Sequence, residues 1–376
     1  MVKEKETPAH YKIAKIARDL EKAGYPVIHL ELGDPEIEVN HDIAYELYRA
    51  AMMGYTHYGD PRGVEPLREK LSEHLNNKLK VNVTKENISV TIGSKSGVYM
   101  SFRALLRHDD KVLLISPVWG LYQVMLDDLG IKYYNLKTNM ENKWTPTMED
   151  LEKYKNCNIK AIVINNPNNP TSVVWDKETV EMITDFARKI DAYIIADEVY
   201  IDYSRKPFYS FLQTDYEKVI AVYSFSKSYA MTGFRIGYTV ASTELATEIS
   251  RLLQLYITNV PEFIQLAALK ALDLPWVVEE NKRILWSRTD YLTKSLKELG
   301  FKFIEPEGAF YVFTKVPGGW SDGVSFCMDL LQKCYVSIAP GTGFGGYEDY
   351  IRFSATASLE KIKIAIERIK NLIEGS

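Results

Sequence analysis

Short, wholly apolar runs alternate along the chain with longer stretches in which apolar residues recur every three or four positions. ISVTI (Ile88 to Ile92), KVLLIS (Lys111 to Ser116), AIVIN (Ala161 to Asn165), AYIIAD (Ala192 to Asp197), VIAVYS (Val219 to Ser224) and IGYTVA (Ile236 to Ala241) read as buried strands. Gly97 to Leu106 and Lys177 to Ile190 read as helices, the second with apolar residues at Val180, Ile183, Phe186, Ala187 and Ile190. Such alternation predicts an α/β fold with a doubly wound, mostly parallel sheet flanked by helices. Pro275 in ALDLPW, followed by the charged helical region Val277 to Leu299, marks a lobe boundary. Beyond it lie apolar runs at Ala309 to Val316 and Tyr350 to Phe353 and an amphipathic helix from about Leu359. The expected organisation is a large ligand-binding domain over 46–275 and a smaller α+β domain over 276–376. Segment 1–45, with a helix at Tyr11 to Ala23, is expected to join the smaller domain.

Composition narrows the class. A chain of 376 residues with 46% hydrophobic and 26% charged residues suits a soluble two-lobed protein with a sizeable core. The net charge of -4 gives no electrostatic case for nucleic acid or an anionic membrane. Three cysteines, Cys157, Cys327 and Cys334, lack metal spacing and are too few for a disulfide framework, which fits a reducing cytoplasm. The opening MVKEKETPAH lacks the apolar core of a signal peptide, and no apolar run is long enough to span a bilayer.

Ligands of open α/β sheets bind beyond the carboxyl ends of the strands, so the residues that follow each run are the candidates for chemistry. After ISVTI comes GSKSG (Gly93 to Gly97), a small-residue turn whose N–H groups suit a phosphate. After KVLLIS comes PVWGLY, with the Trp119 indole available to stack on a planar ring. After AIVIN comes NPNNPTS, which offers the Asn169 amide, and AYIIAD ends in Asp197 with Tyr200 three residues on. VIAVYS leads into SFSKSYAMTGFRIG, where Lys227 is preceded by Ser224 and Ser226 and followed by Arg235. A lysine at such a strand end loses hydration, its pKa falls, and its neutral amine can condense with a carbonyl. Hydroxyls and an arginine fork hold a phosphate dianion. Each motif has a plainer structural reading as turn, cap or core residue. Jointly they describe a site for a pyridine ring bearing an aldehyde, a phenolic oxygen and a phosphate arm, which is pyridoxal 5'-phosphate.

On these motifs the chain, from about Ile28 to its C-terminal helix, resembles the class I/II aminotransferases, fold type I pyridoxal phosphate enzymes of the aspartate aminotransferase kind. The resemblance implies that Lys227 forms the Schiff base and shuttles the substrate's Cα proton. It gives the phosphate to Ser224, Ser226, Arg235, Gly93, Ser94 and Lys95, the ring nitrogen to Asp197, the phenolate oxygen to Asn169 and Tyr200, and the ring face to Trp119. YTHYGDPRGVEPLR, Tyr55 to Arg68, is similar to the family segment whose tyrosine, here Tyr58, reaches the phosphate of the neighbouring subunit, which implies a homodimer. LELGDPE, Leu30 to Glu36, resembles the glycine turn that places Gly33 against the substrate. YIRFS, Tyr350 to Ser354, resembles the motif whose arginine, here Arg352, binds the substrate α-carboxylate.

Two departures stand out. The usual NPTG reads NPTS, with Ser172 for glycine, which leaves the backbone angle of that turn open. IEVNHDI follows LELGDPE where a proline is common, which leaves the substrate-side loop open. The expected activity is transfer of an amino group between an L-amino acid and a 2-oxo acid. The same residues also serve carbon–sulfur lyases and other eliminating enzymes, and a non-catalytic aminotransferase-like binding protein is a remoter alternative. Tyr223 and Lys227 share the YxxxK spacing of short-chain dehydrogenases, but no glycine-rich dinucleotide turn accompanies them. Aspartate, alanine, aromatic and branched donors remain open, and Arg103 reads as a solvated surface residue.

Overall fold

A computed structural model of the chain describes residues 9–375. A two-residue strand β1 (Ile28–His29) comes first. The main sheet follows with β2 (Ile88–Thr91), β3 (Lys111–Ser116), β4 (Lys132–Lys137), β5 (Ile159–Asn165), β6 (Tyr193–Asp197), β7 (Val219–Ser224) and β8 (Gly237–Val240). The later strands are β9 (Tyr311–Lys315), β10 (Val336–Ser337), β11 (Ala339–Pro340) and β12 (Tyr350–Ser354).

The main sheet is seven-stranded in the order β2-β8-β7-β6-β5-β3-β4. Only β8 runs against its neighbours β7 and β2, so the sheet is mostly parallel as expected. Both faces are covered: Leu113 and Ile115 of β3 face one core, with Ile162 and Ile164 of β5, while Val112, Leu114, Ala161 and Val163 face another. That two-sided burial is why these strands are continuous apolar runs rather than alternating ones. The helix Lys177–Lys189 buries Val180, Ile183, Phe186 and Ala187, and its first turn is capped by the Asp176 carboxylate, which accepts from Thr179 N at 2.9 Å. The edge strand β4, KYYNLK, carries an exposed lysine at each end and buries Leu136, so its polar pattern hides it from a search for apolar runs.

A second, three-stranded sheet has the order β11-β12-β9, and β1 pairs in parallel with β10. One core unites Ile13 and Ala17 of the first helix (Ala9–Lys22) with Leu285 and Leu292 of the long helix Pro275–Glu298, Phe353 of β12 and Ile362 and Ile369 of the last helix (Leu359–Glu374). The peptide Met1 to Pro8 lies outside the described residues. No helix among the described residues is long and apolar enough to cross a membrane.

Candidate active site

A cavity of about 670 Å³ opens at the carboxyl ends of the parallel strands, between the main sheet and the three-stranded sheet. Because β8 is reversed, its amino end lies on that same side, and this brings Arg235, two residues before β8, to the residues that follow β2 and β7. Ser94, Lys95, Trp119, Asn169, Asp197, Tyr200, Ser224, Ser226, Lys227, Arg235, Gly33 and Arg352 all line the cavity. Gly93 lies just behind the Arg235 guanidinium: a Cβ there would stand 2.6 Å from Nη2, and its φ of +66° is in the region that favours glycine.

Lys227 sits in the helical turn Phe225–Ser228, whose start is fixed by the Ser224 hydroxyl accepting from Ser226 N at 3.1 Å. Its Nζ donates to the carbonyl of Gly33. Burial brings the ammonium down to about 8; Asp34 opposes this, and Arg235 and Arg352 reinforce it. A useful share of neutral amine therefore exists near neutral pH.

Asp197, at the end of β6, is 4% exposed and accepts from the Tyr122 hydroxyl at 2.5 Å. Burial pushes its carboxyl up to about 6. Tyr122 stands edge-on to Trp119, with ring centres 5.4 Å apart. Lys95 Nζ lies 5.6 Å from the Trp119 ring centre, and burial, with Arg235 nearby, lowers its pKa.

On the opposite wall, Arg352 is held within β12 between the rings of Tyr311 and Phe344, at 4.4 and 4.8 Å. Nη1 donates to Asn169 Oδ1 at 2.7 Å, Nη2 donates to the Glu31 carbonyl, and Nε is buried without a partner. Tyr311 also exchanges a hydrogen bond with Tyr200, hydroxyl to hydroxyl at 2.9 Å, and closes against Gly33, where a Cβ would meet the Tyr311 oxygen at 2.2 Å.

Ser172, the residue in the glycine position, takes φ +57°, the left-handed region. Its hydroxyl accepts from Tyr311 N at 2.9 Å, and its carbonyl accepts from Glu307 N and Gly308 N at 2.8 Å each. The serine keeps the bent turn and adds a tie to β9. Tyr58 is the exception among the candidates. It is 87% exposed and lines a separate surface depression with Tyr55, His57 and Asn259, outside the cavity of its own chain. Arg103 is exposed and does not line the cavity. Tyr223 does not share a site with Lys227 either: its hydroxyl points behind the sheet end to Glu198 Oε2 at 2.6 Å. Tyr122, Tyr311, Asp34 and Glu31 are cavity residues not foreseen from sequence. Tyr122 alone left a signal, an aromatic three residues after Trp119.

A buried lysine of weakened basicity, a strand-end carboxylate facing it and an anion cradle define a site for amine–carbonyl chemistry on an anionic ligand. Residues 25–369 match the family model "Aminotransferase class I and II", and the chain belongs to that family of pyridoxal phosphate-dependent transaminases, which act on amino acids and 2-oxo acids. The chain is 34% identical to the aspartate aminotransferase of Thermotoga maritima over 96% of its own length and 94% of the relative's. It is 37% identical to the (5-formylfuran-3-yl)methyl phosphate transaminase of Methanocaldococcus jannaschii, over 96% and 95%. The crystal structure of the Thermotoga maritima aspartate aminotransferase superposes with a TM-score of 0.93 over 98% of this chain and 97% of that one, at 33% identity. The aromatic aminotransferase of Pyrococcus horikoshii gives 0.90 over 96% and 99%, at 30% identity.

Proposed function

We propose that the cavity is the transaminase active site, with Lys227 as its amine and proton carrier and an acidic or aromatic L-amino acid as donor to a 2-oxo acid. The observation that carries this reading is the convergence of Lys227, Asp197, Asn169, Tyr200, Arg235 and Arg352 on one cavity from separate strand ends. The cavity residues suit pyridoxal phosphate. Gly93, Ser94, Lys95, Ser224, Ser226 and Arg235 would hold its phosphate, Asp197 its ring nitrogen, Asn169 and Tyr200 its phenolate oxygen, and Trp119 its ring face. When bound, the cofactor supplies an electron sink that acidifies the donor's Cα–H bond.

The chain's own residues do the rest. Arg352 takes the donor's α-carboxylate on its fork, helped by the Asn169 amide already beside it. The Gly33 turn and Tyr311 close the substrate side. Lys227 Nζ, neutral often enough at its lowered pKa, would accept the donor's Cα proton and hold it on the amine within the cavity. The Asp197 carboxylate, with one short donor in Tyr122, would favour the protonated form of the cofactor's ring nitrogen when the cofactor is bound.

The donor class is supported by relatives named for aspartate and for aromatic amino acids. A homodimer in which Tyr58 enters the partner's cavity is supported by the exposed rings and thioethers of Tyr45, Tyr48, Met52 and Met53 near Tyr58, with Leu255 and Tyr256. A division at 1–45, 46–275 and 276–376 and a cytoplasmic setting complete the reading. The test is an amino-donor panel with 2-oxoglutarate, followed by conversion of the visible cofactor band to the pyridoxamine form. Conversion by aspartate or aromatic donors is expected. A colourless protein that cannot be reconstituted with pyridoxal phosphate overturns the reading.

A further inference from the structure

The turn that carries Lys227 has two sides. Ser226 and Lys227 face the active cavity, while Phe225, Ser228 and Tyr229 face a second cavity of about 180 Å³ immediately behind it. That rear cavity is bordered by His74, Lys78, Glu198, Asp202, Tyr238 and Glu279.

Across it, a short 3-10 turn, Ile201–Tyr203, holds the lysine turn by its backbone and its serine. The Tyr203 hydroxyl donates to the Lys227 carbonyl at 2.8 Å. The Ser228 hydroxyl donates to Asp202 Oδ2, and Lys78 Nζ pairs with Asp202 Oδ1. From the long helix, Asn281 Nδ2 donates to the Ser228 carbonyl at 3.0 Å. Burial pushes the Asp202 carboxyl up, but Lys78 and the Ser228 hydroxyl outweigh it and hold the group below the ordinary range. Tyr203 itself is fully buried and packs edge-on against Phe310, centre to centre 5.4 Å.

The same short turn begins directly after Tyr200, whose side chain lines the active cavity. One backbone segment thus touches the active cavity through Tyr200, the Lys227 carbonyl through Tyr203 and the hydroxyl of the next residue, Ser228, through Asp202. None of these contacts involves the Lys227 amine. They fix where its Cα sits while the four-carbon stem stays free to swing.

We propose that Tyr203 and Asp202 are positioning residues that register the Lys227 turn against the Tyr200 wall, so that Nζ is held at one place in the cavity throughout turnover. The proposal rests on the assignment of Lys227 given above. A lysine amine that takes up and releases a proton must return to the same place in each turnover, and small displacements of a reacting group lower rates steeply. Substrate binding, which lies with Arg352 on the far wall, should be untouched by the brace.

The experiment compares Tyr203→Phe, Asp202→Ala and Asp202→Asn in the reconstituted holoenzyme. Tyr203→Phe keeps the ring against Phe310, so the folded protein is retained while the bond to the Lys227 carbonyl is lost. The expected result is a kcat lowered about tenfold, roughly one hydrogen bond's worth of transition-state alignment, with KM within about twofold. The pH midpoint of the bound cofactor's visible band should move as well. Asp202→Asn keeps an acceptor for the Ser228 hydroxyl and should recover most of the kcat that Asp202→Ala loses. The brace is refuted by Tyr203→Phe with wild-type kcat, by a loss that appears in KM instead, or by a kcat loss with an unmoved band midpoint. Failure of the lysine assignment looks different, since Lys227→Ala would then keep the visible band and its pH midpoint.

Discussion

Asp197 and Glu198 are neighbours on the chain, both buried to 4% exposure or less, yet they end in regions of opposite character. Asp197 faces the active cavity with the Tyr122 hydroxyl at 2.5 Å and the Val199 N–H at 3.4 Å. Glu198 faces behind the sheet end and is saturated by Ser210, Tyr223 and Phe211 N, at 2.6 to 2.9 Å. Burial raises both, to about 6 and about 7, so neither is a comfortable charge. The difference lies in what remains unmet. The rear carboxylate has its donors and holds the loop at Ser210, whereas the front one has a single short donor, Tyr122, and one long one, Val199 N–H. A function-bearing group is recognisable here by incomplete satisfaction, a structural one by its full complement of donors.

The strongest way to break this contrast is to remove the amine on the front side. Lys227→Ala should lower turnover by about 10^4-fold or more, since proton transfer and the covalent attachment are lost together, while thermal stability stays near wild type. Turnover close to that of the wild type would remove the front cavity from the chemistry altogether.

Substituting the two carboxylates tests the contrast directly. Asp197→Asn should lower kcat by about 10^2- to 10^3-fold and should stabilise the cofactor-free protein above pH 6, because an under-paired buried charge disappears. Glu198→Gln should leave the cofactor band in place and cost about 1–3 kcal/mol of stability, because one of the two accepting oxygens becomes an NH2 that faces donors. The pH dependence has a definite sign. A folded pKa raised to about 7 means that the native state holds the proton between about 4.5 and 7 where the unfolded chain has released it. The stability advantage of wild type over Glu198→Gln should therefore shrink as pH rises through that window and stay constant above it. Equal urea midpoints for the Asn and Gln variants at every pH would erase the distinction between the two regions.

Much of the front region was legible from sequence because an α/β sheet puts its chemistry at strand ends, and an apolar run shows where a strand ends. Lys227, Asp197, Asn169, Trp119 and the GSKSG turn were all reached in that way. The rear region was not. Asp202 reads as one acid among many, and its partners Lys78, Ser228 and Asn281 are brought to it from distant segments by packing alone. Tyr311 was missed for the same reason, since a tyrosine with a buried hydroxyl partner looks in sequence like any core aromatic. β4 escaped because at the sheet's edge Tyr133, Tyr134 and Asn135 are only half-buried between exposed lysines, which removes the continuous apolar run.

A finer probe of the front side is the amine's own titration. With Lys227 brought down to about 8, the rate at which cofactor-free protein condenses with pyridoxal phosphate should rise with pH up to about 8 and then level off. An ordinary lysine would continue to gain neutral amine to about 10.4. A rate that keeps climbing past pH 9 would show that the front cavity does not desolvate its lysine.

The smallest expected effect marks the border between the two kinds of region. Ser172 belongs to the Asn169 turn at the cavity wall, yet it is fully buried and bonded through N–H, carbonyl and hydroxyl alike, so by the contrast drawn above it is structural. Ser172→Ala keeps the left-handed φ and loses the bond to Tyr311 N, and should cost about 1–2 kcal/mol. Ser172→Gly loses the same bond but relieves a left-handed conformation that disfavours any side chain by about 1 kcal/mol, so the two changes nearly cancel and the melting temperature should shift little. KM for the donor should stay within about twofold in both variants if Tyr311 remains seated against Arg352 through its ring and its bond to Tyr200. A KM rise in the glycine variant at unchanged stability would instead make Ser172 part of the substrate wall, and would move the border of the front region one turn further from the lysine.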